Sequence, residues 1–280
     1  MSKESKKKAA ACGAVRILSA RLSASLSDPD GEYSSSDFSF NAIHRFYFTV
    51  VEGEDPSVHA AVVDQILEGL PPHRLMEMLE NIAQAGWSIV LLDFMSETPG
   101  RHGAFVRAGL MPRLCAAIVW LCEGAMPLLG TTNIPDSPAL TACSAYSLLI
   151  KFSDGPESAA FADGILASGV LKALVAALSK GGEAAGFAAK CLLPVVLSDA
   201  PCAALIAAGA VPVLLEILSA PDSNEDLIND VSMMLSQMMS CDASVAEEVH
   251  AAGLDAAQLR ALEAFDSDDS DDPESLDGST

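Results

Sequence analysis

One short phrase recurs along the chain: an apolar helical end, a small residue and glycine, then a new apolar stretch. It runs AFVRAGLMPRL at 104–114, ILASGVLKAL at 165–174, ALIAAGAVPVL at 204–214 and EVHAAGLDAAQL at 248–259, with a weaker copy, ILEGLPPHRLMEML, at 66–79. The glycines are 40, 60, 40 and 44 residues apart: Gly69, Gly109, Gly169, Gly209 and Gly253. A period near 40 predicts a solenoid of stacked two- or three-helix units.

The glycine marks a corner between two helices. A helix that ends in a left-handed residue favours glycine there, because glycine has no Cβ to clash. Pro71, Pro112 and Pro212 follow two or three residues later, and proline is tolerated in the first turn of the next helix. The spacing of 60 contains an insertion, which we place at 124–138 because this stretch has the Gly, Pro and Thr content of a loop.

Each corner is followed by a longer apolar stretch that predicts a third helix. These helices are expected at 81–95, 139–152, 183–197 and 226–239. Polar residues end each of them, and 10 to 15 residues then remain before the next glycine, enough for one short helix. The repeating unit is therefore predicted to contain three helices.

Composition agrees with an all-α fold and excludes some classes of binding partner. Half of the residues are hydrophobic and 5% are aromatic, which suits closely packed helices better than strands. The formal net charge is −22. We therefore expect no nucleic acid and no anionic membrane as partner, because both would repel the protein.

No pattern of catalytic or metal-binding residues is present in the sequence. There is no GxSxG motif, and none of the five histidines has a second His or a Cys at ligand spacing. We therefore predict no enzyme activity, no catalytic residue, no metal and no cofactor. The seven cysteines form no CxxC pair and lie mostly among apolar residues, as in reduced proteins: Cys12, Cys115, Cys122, Cys143, Cys191, Cys202 and Cys241.

The chain divides into three parts. Residues 1–56 do not follow the period and are expected to form an irregular cap with a basic tail, in which 9–25 is a predicted helix and 41–51 is either a strand or a capping helix. Residues 57–265 form the predicted repeat domain. Residues 266–280 carry seven acids and no base, which predicts a disordered acidic tail.

The phrase ALIAAGAVPVLLEILS at 204–219 resembles the junction between the first and second helices of armadillo repeats. The resemblance covers about 57–264 and implies a right-handed α-solenoid of about four armadillo-like repeats. Related HEAT repeats are the alternative for the fold, although they often lack the glycine corner. Armadillo proteins line a concave groove with their third helices and bind partner segments there.

The resemblance also predicts which residues face that groove. Some family members carry Trp and Asn four residues apart on each third helix. We locate the corresponding positions in this chain by counting back from the glycines. They hold other residues, so the repeated Trp and Asn are absent. The expected partner-binding residues are these positions together with the neighbouring Asn229. They are Ile89, Asp93, Ala189, Leu193, Asn229, Met233 and Gln237. The groove is expected to be apolar and close to neutral.

These patterns predict a non-enzymatic adaptor or scaffold that binds another protein. The alternative is a nucleotide-exchange regulator of a seventy-kilodalton heat-shock chaperone, because some such regulators are short armadillo proteins. We expect a monomer in the cytoplasm, with a nuclear location left open. Ser267 and Ser270 lie in the acidic context DSDDSDDPE and are candidate phosphorylation sites.

Overall fold

The computed structural model describes residues 13–25, 56–80, 85–98, 102–125, 138–220 and 224–253. These residues form fourteen α-helices and one π-helical segment, Leu121–Ala125, and contain no strand. The helices are α1 (Ala14–Ser25), α2 (Pro56–Gly69), α3 (Pro72–Leu79), α4 (Ala85–Ser96), α5 (His102–Arg107), α6 (Leu110–Trp120), α7 (Pro138–Ser153), α8 (Ser158–Ser168), α9 (Val170–Leu178), α10 (Gly182–Val196), α11 (Asp199–Ala207), α12 (Ala210–Ser219), α13 (Glu225–Cys241) and α14 (Ala243–Ala251).

The helices repeat in threes. Repeat 1 contains α2 to α4, repeat 2 contains α5 to α7, repeat 3 contains α8 to α10, and repeat 4 contains α11 to α13. The third helices α4, α7, α10 and α13 pack side by side, and the second helices α3, α6, α9 and α12 form another row. At the ends, α1 packs against α2 and α14 packs against α13. The prediction of an all-α solenoid with about four repeats is confirmed.

Left-handed glycines form the corners between first and second helices, as predicted. Gly109, Gly169 and Gly209 have φ angles of 86°, 71° and 83°. At the latter two, the chain turns by 71° between α8 and α9 and by 76° between α11 and α12. Because these angles carry a steric cost for other residues, glycine fixes where each corner falls.

Gly69 differs from the other predicted corners. It is the last residue of α2 and does not adopt a positive φ. Instead, a Cβ at this position would lie 2.5 Å from the backbone nitrogen of Ala20 and 2.6 Å from the carbonyl oxygen of Arg16, both in α1. Glycine is therefore needed here for the close approach of two helices, and the predicted left-handed corner is wrong at this position.

The predicted third helices correspond to α4, α7, α10 and α13. Their observed ends lie within two residues of the predicted ones wherever the structure describes them. In the structure, the helix that was predicted at 9–25 begins at Ala14. The predicted loop at 124–138 starts inside the π-helical segment, and its residues 126–137 lie outside the described part, as do 41–51 and the acidic tail.

The buried core runs through all four repeats. It contains aliphatic side chains throughout and four fully buried phenylalanines, Phe105, Phe152, Phe161 and Phe187. Small residues such as Ala188 and Ala189 in α10 are also fully buried. They let neighbouring helices approach closely.

In the described part of the chain, no single helix is long and apolar enough to cross a membrane. Two bent pairs, α8 with α9 and α11 with α12, reach that length and composition only when each pair is taken together.

Candidate functional site

One face of α13 is open to solvent. Asn229, Met233 and Gln237 are four residues apart, so they lie on the same side of the helix. Asn229 is exposed, the Met233 side chain is 42% exposed, and Gln237 is half-buried. These three predicted positions are therefore accessible, and their role in partner binding stays a prediction.

A matching face of α10 lies beside it. Glu183, Gly186 and Lys190 share this face by their helical spacing, and Leu197 continues it just beyond the end of the helix. Leu197 is 51% exposed. The two faces are joined by Lys190, whose Nζ donates a hydrogen bond of 2.8 Å to Oδ1 of Asp230 in α13.

Four predicted groove residues lie elsewhere. Ile89 and Ala189 are fully buried, and Leu193 is 7% exposed, so the prediction that their side chains line an open groove is wrong. Asp93 is also buried, and its carboxylate is engaged by Lys151. In α4, every side chain that the structure describes is buried.

The physical reason is how the neighbouring helices cover the third helices. In α4 every described side chain is buried, so no count from the glycine reaches an open face there. The helix α10 packs between α7 and α13, and Leu193, three residues after the half-buried Lys190, lies on the same side of the helix but is covered. A residue count from the corner gives a position along the helix but not how much of it the neighbouring helices bury.

The open face of α10 lines a cleft of about 720 Å³ between repeats 3 and 4, to which Glu183, Gly186 and Lys190 contribute. Its walls come from α7, α9, α10, α12 and α13. Apolar side chains form much of the lining, including the buried Phe187 and the half-buried Val213, Ile217 and Leu227. A concave, largely apolar surface of this size can hold side chains of a bound ligand.

Carboxylates surround the apolar part of the cleft. Glu183, Glu216 and Asp226 are exposed along it. Of the described residues that line the cleft, Lys190 is the one with a cationic side chain, and it is already paired with Asp230. The cleft therefore has a negative local charge, which differs from the nearly neutral groove that the sequence predicted.

Lys190 connects three of the third helices. Besides its bond to Asp230, its Nζ lies 5.9 Å from the ring centroid of Tyr146 in α7, a cation–π distance. Burial would lower the pKa of Lys190, but the hydrogen bond and the charge of Asp230 outweigh burial and raise it. The side chain therefore stays charged and connects α10 to α7 and α13.

A second ion pair joins α4 to α7. Nζ of Lys151 lies 2.8 Å from Oδ1 of Asp93 and 3.1 Å from the carbonyl oxygen of the same residue. Burial nevertheless raises the pKa of Asp93, because the desolvation of its carboxylate exceeds the attraction of Lys151. This pair is a structural contact between repeats 1 and 2.

The half-buried histidines bond to the end of α4. Nε2 of His59 lies 3.2 Å from the carbonyl oxygen of Phe94, and Nε2 of His102 lies 2.7 Å from that of Ser96. Within the described ranges, no three His, Cys, Asp or Glu side chains come together as metal ligands. These histidines therefore satisfy carbonyl groups at a helix end.

The sequence did not indicate the cleft. Its lining combines residues from helices that are far apart in the chain, from Ala142 in α7 to Asp230 in α13. A partial signal was available in the alternation of apolar and acidic residues in α12, where Val213 and Ile217 flank Glu216. That pattern alone does not show which helices face it.

Comparison with known proteins supports the fold. No family model and no curated protein matches the chain. Among solved structures, it is similar to an engineered protein, with 17% identity over 90% of this chain and 94% of the other and a TM-score of 0.60. It is also similar to a designed armadillo repeat protein, with 15% identity over 89% and 92% of the two chains and a TM-score of 0.57.

A third similar structure is of computationally designed armadillo repeat proteins for modular peptide recognition. It has 15% identity over 88% of this chain and 90% of the other, with a TM-score of 0.58. At such identities the likeness concerns the fold, and it extends over nearly the whole length of each chain. Together with the four three-helix repeats and their glycine corners, it shows that this chain has an armadillo-like helical repeat fold.

Proposed function

We propose that the chain is a non-enzymatic protein-binding module that holds a partner segment on the open faces of α10 and α13 and in the adjoining cleft. The observation that carries this proposal is the cleft itself, about 720 Å³ in volume and continuous with an exposed helical face. Its apolar lining supplies area to bury, and the exposed Met233, three residues after the cleft residue Asp230 in α13, adds an adaptable contact.

The chemistry of the cleft favours a segment with both apolar and basic side chains. Val213, Ile217 and Leu227 can cover aliphatic groups, while Glu183 and Glu216 can attract a cationic end. Lys and Arg side chains combine an apolar stem with a charged head, so one side chain can use both features. A net charge of −22 adds long-range attraction for such a segment.

The proposed binding of a peptide agrees with the purpose for which another protein of this fold was designed. One similar structure was designed for modular peptide recognition. The present chain is proposed to act in the same general way, as an adaptor or scaffold that is monomeric and resides in the cytoplasm or nucleus. The candidate phosphorylation sites Ser267 and Ser270 lie outside the described residues and stay a prediction.

The proposal is tested by selecting peptides from a random display library against the full chain. We expect the selected peptides to lose at least about tenfold in affinity when Met233→Glu places a buried charge in the interface. Leu166→Glu is the matched control, because Leu166 is 43% exposed, like Met233, but lies on the first-helix row in α8. Equal loss in both variants, or no selectable peptide, would contradict the proposed groove.

The alternative, a nucleotide-exchange regulator of a heat-shock chaperone, requires a different readout. Such a regulator would speed release of a fluorescent nucleotide from the chaperone. If the chain is a peptide-binding module instead, we expect the full chain not to accelerate nucleotide release. This should hold even at a concentration of the chain high enough to bind all of its selected peptide.

A further inference from the structure

Two cysteines of repeat 4 are in contact although they lie far apart in sequence. Cys202 is in α11, and Cys241 is the last residue of α13. The two helices pack against each other, and the side chains of Cys202 and Cys241 are close enough to interact electrostatically. Their sulfur atoms are therefore already neighbours in the reduced protein.

The two thiols differ in their access to solvent. Cys202 is fully buried, whereas Cys241 is exposed. A small oxidant can therefore reach Cys241 directly, and a second thiol lies immediately behind it. Cys143 in α7 is the other exposed cysteine among the described residues, and it provides an internal comparison.

We propose that Cys202 and Cys241 form a reversible disulfide when the protein meets hydrogen peroxide, and that this bond fastens α11 to the end of α13. The proposal stands independently of the peptide-binding function. It identifies an oxidative modification site in the C-terminal repeat.

The chemistry proceeds in two balanced steps. The Cys241 thiolate attacks one peroxide oxygen and breaks the O–O bond, which gives a sulfenic acid and a hydroxide that takes up the proton lost from Cys241. The sulfur of Cys202 then attacks the sulfenic sulfur, so that an S–S bond forms and the S–O bond breaks. The departing hydroxide takes the Cys202 proton as water. Two thiols lose two electrons in total, and one peroxide becomes two water molecules.

The order of the steps follows from the surroundings of Cys202. Burial, together with the hydrogen bond and charge of Cys241, raises the pKa of Cys202 to about 12. The buried thiol therefore stays protonated and does not compete for the oxidant. It reacts only after Cys241 has been activated next to it.

The bond would act at the joint between α13 and α14. Asp242 follows Cys241 directly, and its Oδ1 accepts a 2.9 Å hydrogen bond from the backbone nitrogen of Ser244 at the start of α14. The segment that joins two helices opens more easily than the packed middle of a helix. A link from α11 to this joint restricts that opening and holds the helix that carries Met233.

The test treats the reduced full chain with hydrogen peroxide and maps disulfides under non-reducing conditions. No Lys or Arg lies between Lys190 and Arg260, so trypsin leaves both cysteines in one peptide. An acid-specific protease that cuts after Glu216 and Glu225 separates them. We expect a peptide pair linked through Cys202 and Cys241, the loss of two free thiols per chain, and a rise of roughly 5–10 °C in Tm that dithiothreitol reverses.

Variants make the result specific. Cys143→Ser should retain both the linked pair and the rise in Tm, whereas Cys241→Ser, at an exposed position, should lose both. Cys202→Ala checks the buried partner, and its circular dichroism shows whether it is folded. Recovery of Cys241 as a sulfinic acid with Cys202 free, or of Cys241 linked to a second chain, would overturn the proposal.

Discussion

Single residues hold the row of third helices together. Lys190 lies between Tyr146 and Asp230 and so touches the helices on both of its sides. The Asp230 side chain is 9% exposed, so Lys190 is the partner of a carboxylate that has little contact with water. A buried carboxylate that loses its cation is costly, because nothing replaces the water that folding removed.

Replacement of Lys190 tests this dependence. Lys190→Met should lower the free energy of unfolding by about 1–3 kcal/mol, measured by urea denaturation. Lys172→Met, at an exposed position in α9, is the control and should change stability little. Adding Asp230→Asn to Lys190→Met should recover part of the loss, because the orphaned charge is removed. A loss of equal size in both single variants would argue against this role.

Asp93 leads to a prediction about pH. Burial raises the pKa of Asp93 above its ordinary value of 3.8, so the folded protein retains this proton at pH values where the unfolded chain has lost it. The contribution of Asp93 to stability therefore falls as pH rises from about 3.8 through the folded pKa. Asp93→Asn removes this fall and keeps an oxygen that can accept from Lys151.

The measurement compares the unfolding free energies of wild type and Asp93→Asn between about pH 3.5 and 6.5, so that other titrating groups cancel. The difference, wild type minus variant, should decrease with increasing pH. An increasing difference would mean that Lys151 stabilises the carboxylate more than burial penalises it.

At the scale of helices, local chemistry explains why some features were predictable. The corners at Gly109, Gly169 and Gly209 depend on the backbone of one residue, and the sequence predicted them. Which side chains of a third helix stay exposed depends on how closely the neighbouring helices cover it. Met233 was therefore found on the surface, whereas Ala189 is buried in α10, which packs between α7 and α13.

Features that depend on several helices could not be predicted. The cleft combines five helices, and the contact between Cys202 and Cys241 depends on how α11 packs against the end of α13. The role of Gly69 likewise depends on α1, which does not follow the repeat period. In each case the sequence shows the residue type, but its partners become known only from the packing.

Gly69 provides the test at this scale. Gly69→Ala should destabilise the protein by roughly 1–3 kcal/mol, because the added methyl would meet the backbone of α1 at 2.5 Å and force α1 and α2 apart. Gly186→Ala is the control, since its added Cβ would meet nothing within 4 Å inside α10. The control should gain up to about 1 kcal/mol from helix propensity. Thermal unfolding of both variants tests this prediction. A Gly69→Ala protein as stable as the Gly186→Ala protein would contradict the close approach of α1 and α2.

For the whole molecule, accessibility is uneven along the solenoid. The described side chains of α4 are buried, whereas α10 and α13 expose polar and apolar groups around the cleft. A bound segment is therefore expected on repeats 3 and 4 rather than along all four repeats. The same C-terminal region contains the cysteine pair, so oxidation and binding would act on one helix, α13.

Hydrogen–deuterium exchange of the full chain, with and without a saturating selected peptide, tests the binding surface most directly. The proposed groove predicts that the peptide slows exchange in α10, α12 and α13 and leaves the first-helix row, α8 and α11, unchanged. Protection centred on α8 and α11, or no protection at a peptide concentration that saturates binding, would contradict the proposed binding surface.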